Sequence, residues 1–171
     1  VEERTGRVTM KGNPLTLMGK ELQPGDAAPD FTILDTGLKP FGLSSVRGKV
    51  CIISSVPSLD TPVCDMETRR FNQEAANLGP EVAILTISMD LPFAQKRWCG
   101  AAGIDRVITL SDHLAAEFGQ KYGVLIKELR LLARAVFVVD RQGVIRYVQL
   151  VPEIAREPDY GAIIDAVKTI L

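Results

Sequence analysis

Lys49-Val-Cys-Ile-Ile-Ser-Ser-Val56, followed at once by Pro57-Ser-Leu-Asp-Thr-Pro-Val-Cys64, is the stretch from which the rest of the chain can be read. The first half is a short, largely apolar run, the pattern of a strand covered on both faces of a parallel sheet. The second half opens a helix. Thr61 suits an N-cap, and Pro62 suits the first helical position, where a missing N–H costs nothing. Cys64 is then the third helical residue, facing unsatisfied backbone donors and the positive end of the helix dipole. Both favour thiolate over thiol, and the thiolate is the reactive species. A free cysteine is also a common buried packing residue, so position alone leaves an inert reading open.

Working outward, Cys64 to Leu78 is amphipathic, with Phe71, Ala75 and Leu78 at helical spacing toward the sheet and Arg69 and Arg70 on a solvated face. Gly79-Pro80 ends that helix, and Glu81 to Ser88 reads as a second buried strand. A strand–helix–strand unit of this kind is parallel with a right-handed crossover. It puts the Cys64 loop at the carboxyl edge of the sheet, where open α/β sheets bind ligands. Asp90 is expected to cap a second helix, with Pro92 in its first turn and Leu91, Ala94, Trp98 and Ala101 as its apolar stripe. Cys99 falls on the flank of that stripe beside Gly100 and Gly103. Its own surroundings fit a structural cysteine or a thiol able to leave the core.

Val107 to Leu110 is a short strand and Asp112 to Tyr122 a helix closed by Gly123, whereas Val124 to Leu132 carries no pattern that places it. Arg134 to Asp140 and Val144 to Leu150 form a hairpin around Arg141-Gln-Gly143. A last helix begins near Pro158-Asp159, with Ile163, Ala166, Val167 and Ile170 inward. Toward the N-terminus, Arg7 to Lys11 and Leu15 to Met18 make a hairpin extension within residues 1–20. Gln23 to Pro29 is a turn-rich connector, Phe31 to Leu34 a short strand, and Ser44 to Gly48 long enough for one helical turn. The sum is βαβ followed by ββα, a thioredoxin-like α/β fold. It has a central mixed sheet flanked by helices, in a single domain over 1–171.

Composition narrows the function classes. Hydrophobic residues make up 46%, charged residues 24% and the net charge is −1. That is an ordinary globular balance with no signature of nucleic-acid or membrane-surface binding. The apolar runs fall short of the roughly 20 residues of a membrane span. The polar start Val1 to Arg7 lacks the apolar core of a secretory signal, so the expected location is cytoplasmic. Three cysteines without tight spacing make no disulfide framework. With no Cys-x-x-Cys, and with His113 the only histidine and far from any cysteine, neither a zinc site nor a papain-like pair is expected. Cys51, between Val50 and Ile52, reads as core.

Pro57-x-x-x-Thr61-x-x-Cys64 resembles the active-site signature of the peroxiredoxins. Together with Asp90-Leu-Pro-Phe-Ala-Gln-Lys-Arg-Trp-Cys99 it resembles their bacterial thiol peroxidase branch, over most of the chain. The resemblance implies reduction of hydrogen peroxide and alkyl hydroperoxides through a Cys64 sulfenic acid. It implies Cys99 as the resolving cysteine in an intramolecular disulfide, and thioredoxin as the reductant. Thr61 would hydrogen-bond the peroxide and Cys64, Pro57 would shield the pocket, and Arg134 would hold the thiolate. A homodimer is also implied, and no metal or other cofactor. Without the resemblance, Arg134 reads as a solvated strand end. Two other functions stay open: a non-catalytic thioredoxin-fold binding module, and a general thiol–disulfide oxidoreductase. Thr61 argues against the latter, because it stands where the first cysteine of a Cys-x-x-Cys pair would be.

Overall fold

In a computed structural model describing residues 1–171, the 49–64 stretch lies at the middle of a mixed sheet. The N-terminal strands are β1 (Glu3–Met10), β2 (Asn13–Met18), β3 (Thr32–Asp35) and β4 (Pro40–Gly42), then a single 3₁₀ turn at Leu43–Val46. The central unit is β5 (Val50–Ser55), α1 (Pro62–Leu78), β6 (Val82–Ser88), α2 (Pro92–Ala102) and β7 (Ile108–Ser111). After it come α3 (Glu117–Lys121), β8 (Leu125–Ile126), β9 (Leu131–Leu132), β10 (Ala135–Val139), β11 (Ile145–Leu150) and α4 (Tyr160–Ile170).

The seven-stranded sheet runs β11-β10-β5-β6-β7-β3-β4. β5, β6 and β7 are parallel, and the flanking strands pair antiparallel. Strand periodicity divides the core. Val50 and Ile52 pack with Phe71 and Ala75 of α1 and Ile163 and Val167 of α4, whereas Cys51 and Ile53 face a larger cluster containing Leu85, Phe118 and Phe137. Phe71 is fully buried. Truncating such a side chain to alanine costs about 3–5 kcal/mol, so Phe71 is the main apolar anchor at the middle of α1, with Ala75 one turn on. The α1 N-terminus is thereby set over the carboxyl end of β5.

Three segments differ from the sequence expectation. Of the expected stripe on α2, Ala94 and Trp98 are half-buried, as is Cys99, but Leu91 is 53% exposed and Ala101 is exposed, and the fully buried positions are Pro92 and Gln95. The helix is rotated because Gln95 buries its amide, donating to Ser88 Oγ at 3.0 Å and to the Leu110 carbonyl at 2.8 Å. Both amide protons are satisfied in this core position, while Gln95 Oε1 is buried without a partner. Asp90 does not cap α2; its N-cap is Leu91, with no side-chain bond. The helix expected from Asp112 starts only at Glu117, because Ala116 adopts a left-handed φ of 51° and Asp112 reaches across to accept from the N–H groups of Phe118 and Gly119.

The unplaced Val124 to Leu132 segment forms β8 and β9. They join the N-terminal hairpin in a second sheet of order β1-β2-β8-β9, with Leu17 opposite Ile126. The hairpin is therefore longer than Arg7 to Met18 and is part of a four-stranded layer. No helix is long and apolar enough to cross a membrane.

Candidate active site

Thr61 is the N-cap of α1, and Pro62 is its first residue. Thr61 Oγ1 accepts from the Cys64 N–H at 3.3 Å and donates to the Ser58 carbonyl at 3.0 Å. The hydroxyl thus ties the Pro57 to Asp60 turn to the first turn of the helix, as a capping residue should. Cys64 is 0% exposed and packs with Val56 and Leu59, with Trp98 of α2 against the same cluster. Pro57, next in sequence to Val56, is buried.

Arg134 lies just before β10. Because β10 runs antiparallel to β5 with Ala135 opposite Ser55, Arg134 arrives at the same sheet edge as Cys64. It is 1% exposed, not a solvated strand end. One guanidinium nitrogen, Nη2, donates to Cys64 Sγ at 3.2 Å and to the Ile154 carbonyl at 2.9 Å, while Nη1 donates to Glu67 Oε1 at 3.2 Å. Nε is buried with no partner in the protein. A fork of donors directed at a sulfur and a carboxylate together is something a lysine cannot reproduce.

Glu67 is the residue that sequence reasoning missed. It is fully buried, paired with Arg134, and its Oε2 accepts from Ser54 Oγ at 2.6 Å. Burial pushes its carboxyl up, while the Arg134 charge and the bonds from Ser54 and Arg134 pull against that. A signal was present. Cys64, Glu67, Thr68, Phe71 and Ala75 form one inward helical stripe, and a glutamate in such a stripe demands a buried cation.

Cys99 is not in the Cys64 cluster. Its sulfur lies 3.2 Å from Thr109 Oγ1 on β7, it is half-buried, and burial pushes its thiol up while the Thr109 bond opposes this. Both cysteines are free thiols here. The structure therefore brings together Pro57, Thr61, Cys64 and Arg134, and keeps Cys99 on its own helix with a separate partner.

Cys51 is also a free thiol, at the amino-terminal end of β5 and so at the opposite edge of the sheet. It is 2% exposed at the base of a cleft of about 450 Å³ that also includes Val46, Lys49 and Val139. Burial pushes its thiol up to about 12, which removes thiolate chemistry at neutral pH. His113 is half-buried near the end of β7 and makes no side-chain bond to a cysteine.

A buried sulfur on a helix N-terminus, held by an arginine, has a recognisable set of relatives. Residues 23–164 match the family described as redoxin. The chain is 62% identical to the thiol peroxidase of Oceanobacillus iheyensis over 92% of its length and 95% of that protein. It is 56% identical to the thiol peroxidase of Bacillus subtilis over 96% of its length and 98% of that protein. Among solved structures, a peroxiredoxin-like protein from Aquifex aeolicus superposes with a TM-score of 0.91 at 44% identity, covering 98% of this chain and 99% of that one.

Proposed function

This chain belongs to the redoxin family, in its thiol peroxidase branch, and is an enzyme of that class; from that premise we propose that it reduces hydrogen peroxide and alkyl hydroperoxides through Cys64. The single observation that carries the assignment of the nucleophile is the 3.2 Å contact between Arg134 Nη2 and Cys64 Sγ. It directs a fixed donor at the one sulfur that also stands in the first turn of a helix.

In the first step the thiolate attacks one peroxide oxygen and the O–O bond breaks. Cys64 becomes a sulfenic acid, and the other oxygen leaves as hydroxide or alkoxide and takes from solvent the proton the thiol gave up, becoming water or alcohol. The Arg134 guanidinium, whose Nη2 reaches the sulfur and whose Nε has no partner, can donate to a peroxide oxygen, and Thr61 can do so by turning its hydroxyl from the Ser58 carbonyl. Pro57 and the apolar Val56, Leu59 and Trp98 side chains keep bulk water from the site. In the second step the Cys99 sulfur attacks the sulfenic sulfur, the S–OH bond breaks and water leaves with the Cys99 proton. An intramolecular disulfide results. A dithiol protein of the thioredoxin class then returns both cysteines to thiols and is itself oxidised to a disulfide.

The two sulfurs have different partners in the reduced protein, so the first turn of α1 and the end of α2 loosen before they can meet. Bonding requires Cα atoms about 4.4–6.8 Å apart. We further infer a homodimer, on the family likeness.

The test is turnover with thioredoxin, thioredoxin reductase and hydrogen peroxide. Wild type consumes peroxide continuously, and Cys64→Ser consumes none. Cys99→Ser completes one rapid oxidation and stalls. Turnover by Cys64→Ser, or unimpaired thioredoxin-dependent cycling by Cys99→Ser, would overturn the assignment.

A further inference from the structure

The two segments that must loosen are joined by a hydrogen-bonded bridge with Asp90 at its middle. On the Cys64 side, the Cys64 N–H donates to Thr61 Oγ1 and the Thr61 hydroxyl to the Ser58 carbonyl. Ser58 Oγ then donates to Asp90 Oδ1 at 2.7 Å, and the Leu59 N–H to Asp90 Oδ2 at 2.9 Å. On the Cys99 side, Ser88 Oγ donates to Asp90 Oδ2 at 2.7 Å and accepts from Gln95 Nε2 at 3.0 Å. Gln95 lies one turn before Cys99 on α2 and is fully buried. The Asp90 carbonyl also accepts from Ser111 Oγ at 2.5 Å, fixing the residue to the end of β7.

We propose that Asp90 is a positioning residue for the resolving step, coupling release of the Cys64 turn to release of the helix that carries Cys99. The proposal rests on the resolving role given to Cys99 above. Cys64 is 0% exposed and packed by Val56, Leu59 and Trp98, so an oxygen kept on its sulfur crowds the capped turn and pushes it outward. As Ser58 and Leu59 depart, the Asp90 carboxylate loses two of its three donors. A part-buried carboxylate stripped of partners is drawn to water.

Asp90 directly precedes the uncapped N-terminus of an 11-residue helix. A helix of that length is marginal without tertiary support. Its departure therefore frees Ser88, leaves the Leu110 carbonyl as the remaining firm anchor of Gln95, and weakens the turn before Cys99. A contiguous network with two arrangements, biased at one end by oxidation, is the physical form a coupling of this kind takes.

A second route between the same elements exists. Trp98 packs on the Cys64 cluster, and the Arg69 guanidinium lies 5.8 Å from its ring and 3.3 Å from the Ala102 carbonyl. The experiment separates the two. In a Cys99→Ser background, one equivalent of hydrogen peroxide halts the protein at the Cys64 sulfenic acid, and amide hydrogen exchange is compared before and after oxidation. The parent shows faster exchange on oxidation in both 61–66 and 95–101. Adding Asp90→Asn leaves the response of 61–66 in place and abolishes that of 95–101. In the chain with Cys99 intact, Asp90→Asn slows disulfide formation by roughly 10- to 150-fold, the weight of one hydrogen bond to a charged group.

A merely structural role would raise exchange in the reduced state without removing the response to oxidation. Ser58→Ala cuts the same bridge from the other side and, if Asp90→Asn does not fold, carries the test with a smaller loss. An undiminished response of 95–101 in these variants overturns the role of Asp90 and leaves Trp98 and Arg69 as the link. Absence of any response at 61–66 in the parent overturns both this proposal and the two-step reading beneath it.

Discussion

Replacing Arg134 by methionine keeps a long side chain and removes the charge, which separates what this residue does for chemistry from what it does for packing. Its Nη2 donates to Cys64 Sγ at 3.2 Å, and a hydrogen bond to a charged group is worth about 1.5–3 kcal/mol. At about 1.36 kcal/mol per tenfold in rate, its loss slows reaction with peroxide by roughly 10- to 150-fold. The substitution also strands Glu67, 0% exposed, with Ser54 as its remaining partner. Removing one member of a buried ion pair costs about 3–5 kcal/mol of stability.

The two effects come apart in the double variant Arg134→Met/Glu67→Gln. It removes the stranded carboxylate and regains most of the stability but none of the rate. Stopped-flow fluorescence reads the rate, because Trp98 is the only tryptophan and packs against the Cys64 cluster. Urea unfolding reads the stability. A peroxide rate in Arg134→Met within about threefold of wild type would refute the account of Arg134. Recovery of the rate in the double variant would show that the single change acted through the fold alone.

Cys51→Ser should change peroxide turnover by less than about twofold and cost about 1–3 kcal/mol in urea unfolding, since it buries a hydroxyl with no partner; a large loss of turnover would give Cys51 a part in the chemistry. Thr61→Ala should destabilise by about 1 kcal/mol through loss of the cap and slow peroxide reduction as well; loss of stability with an unchanged rate would make Thr61 a cap only. Burial pushes the Asp112 carboxyl up from 3.8 to about 6, against the backbone bonds from Gly119 and Phe118. With the folded value above the unfolded one, the stability owed to this group is complete below about 3.8 and is lost as pH rises through about 6. The stability difference between wild type and Asp112→Asn should therefore drift in the variant's favour from about pH 4 to 7, and a constant difference would contradict the shift.

The Cys64 end of the site was legible because it is written in local chemistry. A cap, a proline at the first helical position and a cysteine two residues later stand in one short string. The buried strands β5, β6 and β10 were equally plain from their apolar runs. What stayed hidden depended on partners distant in sequence. Arg134 reads as an exposed strand end on its own residues and is singled out only through the family resemblance; β10 laid antiparallel on β5 is what carries it to Cys64. Glu67 looked like an ordinary helical charge because its justification is that same arginine.

Hydrophobicity gives the face of α2 only in part: Ala94 and Trp98 turn inward as their spacing predicts, but Leu91 and Ala101 do not. Gln95 goes inward because Ser88 and Leu110 accept its amide protons, and that turns Leu91 out. Asp90 looked like a cap for the same local reason, whereas its carboxylate serves Ser58, Leu59 and Ser88. β8 and β9 are two residues each, too short for periodicity, and exist through their pairing with β2 and each other.

The central claim is that Cys64 is the atom that meets peroxide. Reduced Cys99→Ser protein is mixed with one equivalent of hydrogen peroxide, trapped with a sulfenic-acid reagent within the first turnover, and digested for peptide mass analysis. The account predicts the adduct on the peptide containing Cys64, with Cys51 unmodified. An adduct on Cys51, or peroxide consumed while Cys64 remains a free thiol, would contradict it.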